Sequence, residues 1–395
     1  MFIHKKKNIV ILGSSGSIGE SALDVVRQFK DRFTVLGLCV NTNVERLKKQ
    51  IAEFKPEYVA VRDGTKAKGL GALARKTKVL TSLDGVCKLA SLPEEDIILL
   101  AIVGAEAICP LLSAIRARRP VALANKEAVV MAGDIALAEA KRNNVRIIPV
   151  DSEQNAIFQC LEGYGTAMVE RIYLTASGGP LADYPCQDLK RVSLKKVLAH
   201  PRWKMGKKIT VDSATMMNKG LEVIETRQLF DLELEKINVL IHRQALIHSM
   251  VEFTDGSILA QMAVTDMRLP IQYALSYPER WPNERLRLDP LRMGALTFTK
   301  PDCARFPCLA LAFEAARLGG AAPCALNAAN EVAVEAFLEG RLAFGGIPRV
   351  IERIIKEENF PKKNATLTSI FDTDRIARSR AQALIGLHGK RGIKR

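Results

Sequence analysis

The most constraining feature of this chain is a glycine-rich turn set between a wholly apolar run and an amphipathic one. Residues 8–12 read NIVIL, residues 13–19 read GSSGSIG, and Ile18, Leu23, Val26 and Phe29 then recur at helical spacing. An unbroken apolar run suits a parallel strand buried on both faces. Glycines permit the tight turn and leave backbone N–H groups free to approach a pyrophosphate at the helix N-terminus. The spacing is G-x-x-G-x-x-G, not G-x-G-x-x-G. By itself the string also fits a turn with no ligand, and its meaning comes from the alternating series it heads.

That series predicts strands at 34–40, 58–61, 97–103, 121–124 and 146–150, with helices between them, as at 44–54. Such a βαβα rhythm implies a doubly wound, Rossmann-like parallel sheet over residues 1–150. Past 151 the rhythm changes. Strand-like runs at 171–174, 238–241, 249–253 and 257–262 are flanked by helical stretches, which predicts an α+β domain over 151–276. Residues 277–302 carry Pro278, Pro282, Pro290 and Pro301 and read as a linker. Residues 303–395 are Ala-rich and predict a C-terminal α-helical domain.

Composition narrows the function. Lys and Arg number 58 against 43 Asp and Glu, a net charge of +15. Nucleic acid, a phosphorylated substrate and plain solubility would each suit that excess. Part of it sits at the ends, in Lys5-Lys6-Lys7, Lys390-Arg391 and Lys394-Arg395, which read as frayed, solvated termini. Aromatic residues are only 6%, and none interleaves with a basic run, so nucleic acid is not an expected partner. The eight cysteines form no C-x-x-C pair, which fits reduced thiols in a cytoplasmic protein. The longest apolar stretch, 97–115, is broken by Gly104, Glu106 and Pro110, so no membrane span is expected. The basic, then apolar, N-terminus runs straight into the glycine turn and does not read as an export signal.

The predicted second strand ends at Asn41-Thr42-Asn43, where NAD enzymes place an acid for the ribose 2′-OH. No acid is there, which removes a repulsion against a 2′-phosphate and favours NADP. Arg46, one turn on, is either a partner for that phosphate or a solvated helix residue. The last strand of the sheet runs into Asp151-Ser152-Glu153, at the end of a strand that would face the ligand crevice. Two carboxylates at i and i+2 suit Mg²⁺ or Mn²⁺, and equally suit a helix N-cap. Asn218, Lys219 and Glu222 share one helix face by their i, i+3 and i, i+4 spacing. An amide, an ammonium and a carboxylate fit a phosphate beside a metal, with Ser213 adding a hydroxyl; a surface ion pair is the plain alternative. Residues 175–180 (TASGGP), which include Ser177, resemble an anion-binding turn. Residues 199–206 combine His200, Trp203, Met205 and Gly206 with basic residues, a composition suited to a mobile lid. Lys126 ends another predicted strand at the same crevice.

These segments carry a resemblance. GSSGSIG, AIVGA, LANKEA, PVDSEQNAIFQ, SGGP, HPRWKMGKKITVDSATMMNKGLEVIE, IHSM, DGS and LNAANE stand in the order found in the 1-deoxy-D-xylulose 5-phosphate reductoisomerases, over roughly residues 13–331. The resemblance implies an oxidoreductase of the methylerythritol phosphate route to isoprenoids. It would rearrange a phosphorylated deoxy-sugar and reduce it with NADPH to 2-C-methyl-D-erythritol 4-phosphate. It implies metal ligation by Asp151, Glu153 and Glu222, with Mg²⁺ or Mn²⁺ bound and Co²⁺ a third candidate. Ser177, Ser213, Asn218 and Lys219 would hold the phosphate, and Lys126, Ser152 and Glu153 would contact substrate oxygens. His200, Trp203 and Met205 would close over the substrate, with His200 and Lys126 among the catalytic groups. NADPH contacts are implied at Gly13, Ser14, Ser15, Gly16, Ser17, Ile18, Asn41, Thr42, Asn43, Asn125, Glu127 and Gly206. A homodimer built on the second domain is implied as well.

Two departures stand out: Asn-Thr-Asn at 41–43, where some members place a base, and Ala176, where a glycine also occurs. Past 331 the match fades. His242 and His248 are expected to be structural, since the metal wants oxygen. Two other readings compete: a dehydrogenase of another phosphorylated polyol, and a basic nucleotide- or nucleic-acid-binding module without catalysis.

Overall fold

The computed structural model describes residues 6–70, 76–203, 205–357, 360–361 and 365–392, with side chains at all of these except 190 and 387–392. Lys5, Lys394 and Arg395 therefore lie outside the described residues, as do the side chains of Lys390 and Arg391. The chain forms two compact units. One comprises Met1–Ala128, Ala136–Phe158 and Asp266–Leu286; the other comprises Val129–Ile135, Gln159–Thr265 and Arg287–Arg395. These boundaries differ from a division at 150, 276 and 302.

The chain order begins β1 (Lys7–Leu12), α1 (Ser17–Gln28), β2 (Phe33–Val40), α2 (Val44–Phe54), β3 (Tyr58–Val61), α3 (Gly64–Ala67), β4 (Lys78–Thr81) and α4 (Ser82–Leu89). It continues β5 (Ile97–Leu100), α5 (Ile108–Arg116), β6 (Val121–Leu123), α6 (Lys126–Asn143), β7 (Ile147–Pro149) and α7 (Ser152–Cys160). Then come β8 (Val169–Ala176), α8 (Leu194–Val197), α9 (Lys207–Thr215), α10 (Met217–Phe230), β9 (Ile237–Ile241), β10 (Ile247–Phe253), β11 (Ile258–Met262) and α11 (Arg268–Ser276). Four helices close the chain: α12 (Pro307–Leu318), α13 (Ala322–Leu338), α14 (Gly346–Glu357) and α15 (Leu367–Gly392).

In the first unit seven parallel strands run in the order β4-β3-β2-β1-β5-β6-β7, the doubly wound sheet expected from the sequence. Ile9, Val10, Ile11 and Leu12 of β1 are wholly buried, each contributing roughly 1.5–3 kcal/mol of burial. The strand order reverses between β1 and β5, and crevices at such switch points hold ligands. The expected strands are present, with β5 ending at Leu100 rather than 103. The pattern gave no sign of β4, an edge strand whose KVLT residues are exposed or half-buried. An edge strand without an apolar run leaves no periodicity to read.

Two further expectations change. Residues 277–286 belong to the first unit rather than to a linker. Trp281 packs 5.3 Å from the Phe29 ring and 5.0 Å from Phe33, and Ile271, Ala274 and Leu275 of α11 join the core beneath β1. Lys7 is half-buried rather than frayed. Its ammonium donates to the carbonyls of Leu275, Ser276 and Tyr277 at 3.2, 3.1 and 2.9 Å, meeting the negative end of α11.

The second unit holds a mixed four-stranded sheet, β11-β10-β8-β9, with β8–β9 parallel and the other pairs antiparallel. Its C-terminal part is helical, as expected. In α14, Ile347, Val350, Ile351, Ile354 and Ile355 are buried at helical spacing, which turns one stripe to the core. Arg378 on α15 bridges Glu331 on α13 and Asp374 on its own helix at 2.5 and 2.8 Å. No described helix is long and apolar enough to cross a membrane. The eight cysteines are free, with Cys39, Cys160, Cys308 and Cys324 buried and Cys186 and Cys303 exposed.

Candidate active site

In the first unit the glycine turn forms a cradle. Gly13 has φ +93°, and a Cβ there would stand 2.5 Å from the Ala101 carbonyl oxygen. Gly19 is pressed against the turn, where a Cβ would meet the Gly13 oxygen at 2.4 Å. Gly16 is the N-cap of α1 and offers no side chain to cap it, so the first-turn N–H groups lack an intrahelical or capping partner. Gly16, Ser17 and, in part, Ser15 and Ile18 are exposed around this mouth. Ser14 is turned inward: its hydroxyl donates to Gln50 Oε1 at 2.7 Å, so only its backbone can face a ligand. The cradle fits a dinucleotide pyrophosphate in shape and polarity.

Asn41, Thr42 and Asn43 are exposed at the end of β2. Asn43 Oδ1 accepts from the Arg46 N–H at 3.1 Å and caps α2. The Arg46 guanidinium is committed to Glu20 through two nitrogens, which ties α2 to α1. Asn125 is buried between strands. Its Oδ1 caps α6 at Ala128 N (2.6 Å), and its amide donates to Ile102 O, Gly104 O and Glu127 Oε2 at 2.8, 3.3 and 3.2 Å. It positions the loop ends of β5 and β6, and Glu127 beside it is buried.

The cap and ligand readings of Asp151 are compatible. One oxygen, Oδ1, accepts from Glu153 N at 3.3 Å at the start of α7. The other, Oδ2, lies 2.6 Å from Lys126 Nζ. Ser152 donates to Glu153 Oε2 at 2.8 Å, and Asn155 anchors the turn by donating to the Pro149 carbonyl at 2.7 Å. Two carboxylates and an ammonium thus converge at the ends of β6 and β7.

The second unit supplies another polar cluster. Helices α9 and α10 meet at Met216, whose φ of +64° breaks the helical run. The break sets Asn218, Lys219 and Glu222 in the first turns of α10. Asn218 donates to Glu222 Oε1 at 2.5 Å, and the Lys219 ammonium pairs with Oε2 of the same carboxylate. Lys219 and Glu222 are buried, at 4% and 0% exposure, so this is not a surface ion pair.

Nearby, Gly178 and Gly179 take positive φ, and a Cβ on Gly179 would lie 2.5 Å from the Ser213 carbonyl. The close approach brings Ser177 and Ser213 to one imidazole: His200 Nε2 is 3.4 Å from Ser177 Oγ and 3.1 Å from Ser213 Oγ. The backbone N–H groups of Arg202 and Trp203 donate to His200 Nδ1 at 3.2 and 2.9 Å. Nδ1 therefore accepts, and the proton of the neutral ring sits on Nε2, aimed at the serines. Burial holds His200 below the usual imidazole range, which favours the neutral ring at neutral pH. Residues 199–206 have no regular helix or strand among those described. Trp203 packs 6.2 Å from His248, Trp203 and Met205 are half-buried, and exposed Gly206 caps α9.

His242 and His248 are buried, as expected of structural residues. His242 joins Thr297 O at 3.0 Å and stacks on Phe298 at 4.8 Å. Burial pushes His248 down to about 4.

Sequence reasoning missed two supports. Asn330 donates to buried Asp212 at 2.8 Å, which pins the helix carrying Ser213 to α13. Arg305 donates to the carbonyls of Ala182 and Tyr184 at 3.1 and 2.5 Å, which fixes the chain just past Gly179. Both contacts span more than a hundred residues, so no local pattern announces them.

Known proteins resemble this chain along most of its length. Residues 9–133 match the family described as 1-deoxy-D-xylulose 5-phosphate reductoisomerase, residues 147–230 its C-terminal domain, and residues 262–380 the DXP reductoisomerase C-terminal domain. The reductoisomerase of Thermodesulfovibrio yellowstonii is 47% identical over 380 residues, covering 96% of this chain and all of that one. That of Chlorobium chlorochromatii is 49% identical, covering 95% and 98%. A crystal structure of DOX-P reductoisomerase in complex with NADPH, fosmidomycin and magnesium is 38% identical and superposes with a TM-score of 0.92, covering 96% of this chain and 98% of that one. The Zymomonas mobilis enzyme in complex with NADPH is 37% identical, with a TM-score of 0.90 and coverage of 96% and 99%. The chain belongs to the 1-deoxy-D-xylulose 5-phosphate reductoisomerase family.

Proposed function

We propose that this chain converts 1-deoxy-D-xylulose 5-phosphate to 2-C-methyl-D-erythritol 4-phosphate, using NADPH and a divalent metal, in the methylerythritol phosphate route to isoprenoids. The observation that carries the reading is the acidic donor set. Asp151 and Glu153 stand at the start of α7 and Glu222 is buried on α10, and these three carboxylates would together hold one ion. An all-oxygen set suits Mg²⁺ or Mn²⁺, with Co²⁺ a third candidate. Bound metal would supply Lewis-acid polarisation of a carbonyl, and bound NADPH the hydride.

The remaining work falls to the chain. Ser177, Ser213, Asn218 and Lys219 would bind the substrate phosphate through hydroxyl, amide and ammonium donors. His200 would add its Nε2 proton to the same anion, consistent with its tautomer. Lys126 would orient substrate oxygens beside Asp151, and Ser152 would donate to one of them. Trp203 and Met205 would exclude water when residues 199–206 close. Gly13 to Ile18, with Asn41, Thr42, Asn43, Asn125, Glu127 and Gly206, would hold NADPH. On this reading residues 1–150 carry the cofactor, 151–276 the chemistry and the dimer contact, and 303–395 a helical support.

A homodimer is part of the proposal. It is supported by edge strand β11, where Ile258 and Leu259 are 51% and 40% exposed, since an apolar strand edge is suited to pairing with a second copy. The cytoplasm is the proposed compartment, supported by the eight free cysteines.

The test is NADPH oxidation with 1-deoxy-D-xylulose 5-phosphate, with and without Mg²⁺ or Mn²⁺, on wild type and Glu153→Gln. Metal-dependent turnover yielding a branched carbon skeleton, lost in the variant, is the expected result. Reduction without rearrangement would point to a polyol dehydrogenase instead. Full activity without metal would overturn the mechanism.

A further inference from the structure

The segment that usually reads the cofactor's 2′-position carries no charge here: Asn41, Thr42 and Asn43 are all neutral. An NADPH enzyme nevertheless needs a cation near the end of β2. Arg46 is nearby, but its guanidinium is engaged by Glu20 through two nitrogens, and Glu20 is also bound by Gln50 at 2.8 Å. Lys48 pairs with Glu45 at 2.7 Å.

Arg62 differs. It follows β3 directly, and β3 pairs with β2 in register Val40↔Val61. Its N–H donates to the Val40 carbonyl at 2.9 Å, and that of Asp63 to Asn41 O at 3.1 Å. Arg62 therefore stands beside the Asn41-Thr42-Asn43 mouth. Its side chain is 34% exposed, and its one ion pair among the described residues is a 3.2 Å contact from Nη2 to Glu106, which is itself 51% exposed. Its Nε is buried without a hydrogen-bond partner among the described residues.

Glu106 lies just past β5, so the pair bridges from the end of β3 to the end of β5, above the ends of β2 and β1. That is three strand spacings, about 14 Å. Burial chiefly raises the Cys39 thiol at the end of β2, and Glu106 adds to that rise while Arg62 opposes it. A half-exposed single contact of this kind is worth about 0–1 kcal/mol. A phosphate dianion forms stronger, charge-assisted bonds to a guanidinium fork. Arg62 is thus held over the adenosine end of the crevice by a carboxylate that a phosphate can displace.

We propose that Arg62 is the residue that recognises the 2′-phosphate of NADPH in this chain, with Glu106 as the anion it exchanges. The proposal rests on the assignment of NADPH as cofactor.

The test compares wild type with Arg62→Ala, Arg62→Lys, Arg46→Ala and Glu106→Gln. Calorimetry reads the binding of 2′,5′-ADP and 5′-AMP to the apo protein, and steady-state kinetics reads NADPH against NADH. Arg62→Ala should weaken 2′,5′-ADP binding about 10- to 100-fold and raise the NADPH KM in step. 5′-AMP binding and the NADH parameters should move less than about twofold. Arg62→Lys should recover part of the loss, and Glu106→Gln should tighten 2′,5′-ADP selectively. An unchanged 2′,5′-ADP to 5′-AMP ratio in Arg62→Ala would overturn the proposal, as would the same loss appearing in Arg46→Ala instead. A wild type that prefers neither nucleotide would overturn the NADPH assignment along with it.

Discussion

The ammonium of Lys126 stands 2.6 Å from Asp151 Oδ2, with only 7% and 12% of the two side chains exposed. The two residues come from the ends of neighbouring parallel strands, β6 and β7. Parallel pairing in a doubly wound sheet brings strand C-termini together, and here it aligns a base with a carboxylate at the crevice. The pair aims the Asp151 carboxylate at the crevice.

Replacing Lys126 by Met should therefore act twice. Losing the 2.6 Å ion pair to a carboxylate only 12% exposed should cost about 3 kcal/mol of stability, and kcat should fall at least about 100-fold through lost positioning. Thermal melts and steady-state kinetics on one preparation check both. A stable variant with normal kcat would remove Lys126 from the site.

Glu222→Gln should leave buried Lys219 without its carboxylate and remove one oxygen donor. Apparent Mg²⁺ affinity should drop about 10- to 100-fold, and chelation by EDTA should abolish wild-type turnover until Mg²⁺ is restored. Activity titrated against free Mg²⁺ reads this. An unaltered metal midpoint in the variant would exclude Glu222 as a ligand.

Gly19→Ala introduces a Cβ 2.4 Å from the Gly13 carbonyl oxygen, which is backbone and cannot step aside cheaply. NADPH binding should weaken at least about tenfold, with a stability loss of about 1–3 kcal/mol. Gly163→Ala is the control for backbone strain alone, since it has φ +85° but no atom within 4 Å. Its NADPH affinity should match wild type.

His248 is pushed down to about 4, chiefly by burial. Its folded value lies below the unfolded value of about 6.5, so the unfolded state binds more protons on acidification. Stability should be full above pH 6.5 and fall as pH drops towards 4, by up to about 3 kcal/mol. Urea unfolding at pH 7, 5.5 and 4.5 should show this loss, and His248→Gln should flatten it. Equal slopes in the two proteins would assign the acid sensitivity elsewhere.

Glu95 should act in the opposite direction. Burial pushes it up to about 8, and both carboxylate oxygens lack hydrogen-bond partners among the described residues. The native state then holds a proton that the unfolded chain releases near pH 4.3, so stability falls as pH rises from about 4.3 to 8 and levels off beyond. Glu95→Gln should stabilise the first unit at pH 8 and have little effect at pH 4. Hydrogen exchange of the β5 amides at both pH values tests this; protection equal to wild type at pH 8 would refute it.

The sequence by itself determined the parts that rest on neighbours along the chain. An apolar run, a glycine turn and a helical stripe specified β1, the cradle and α1, because strand and helix periodicity are local properties. The i, i+2 and i, i+4 spacings of Asp151 with Glu153 and of Asn218 with Glu222 marked the carboxylate segments for the same reason. Tertiary structure decided the rest. It showed that Asp151 caps a helix with one oxygen and pairs with Lys126 through the other, a choice that the spacing left even. It took α11 and Trp281 into the first unit's core and made Lys7 a helix cap. It also set the tautomer of His200 through two backbone donors. Asn330 reached Asp212 across more than a hundred residues. Contacts of that separation follow from how whole elements pack, and packing leaves no period in the sequence to read.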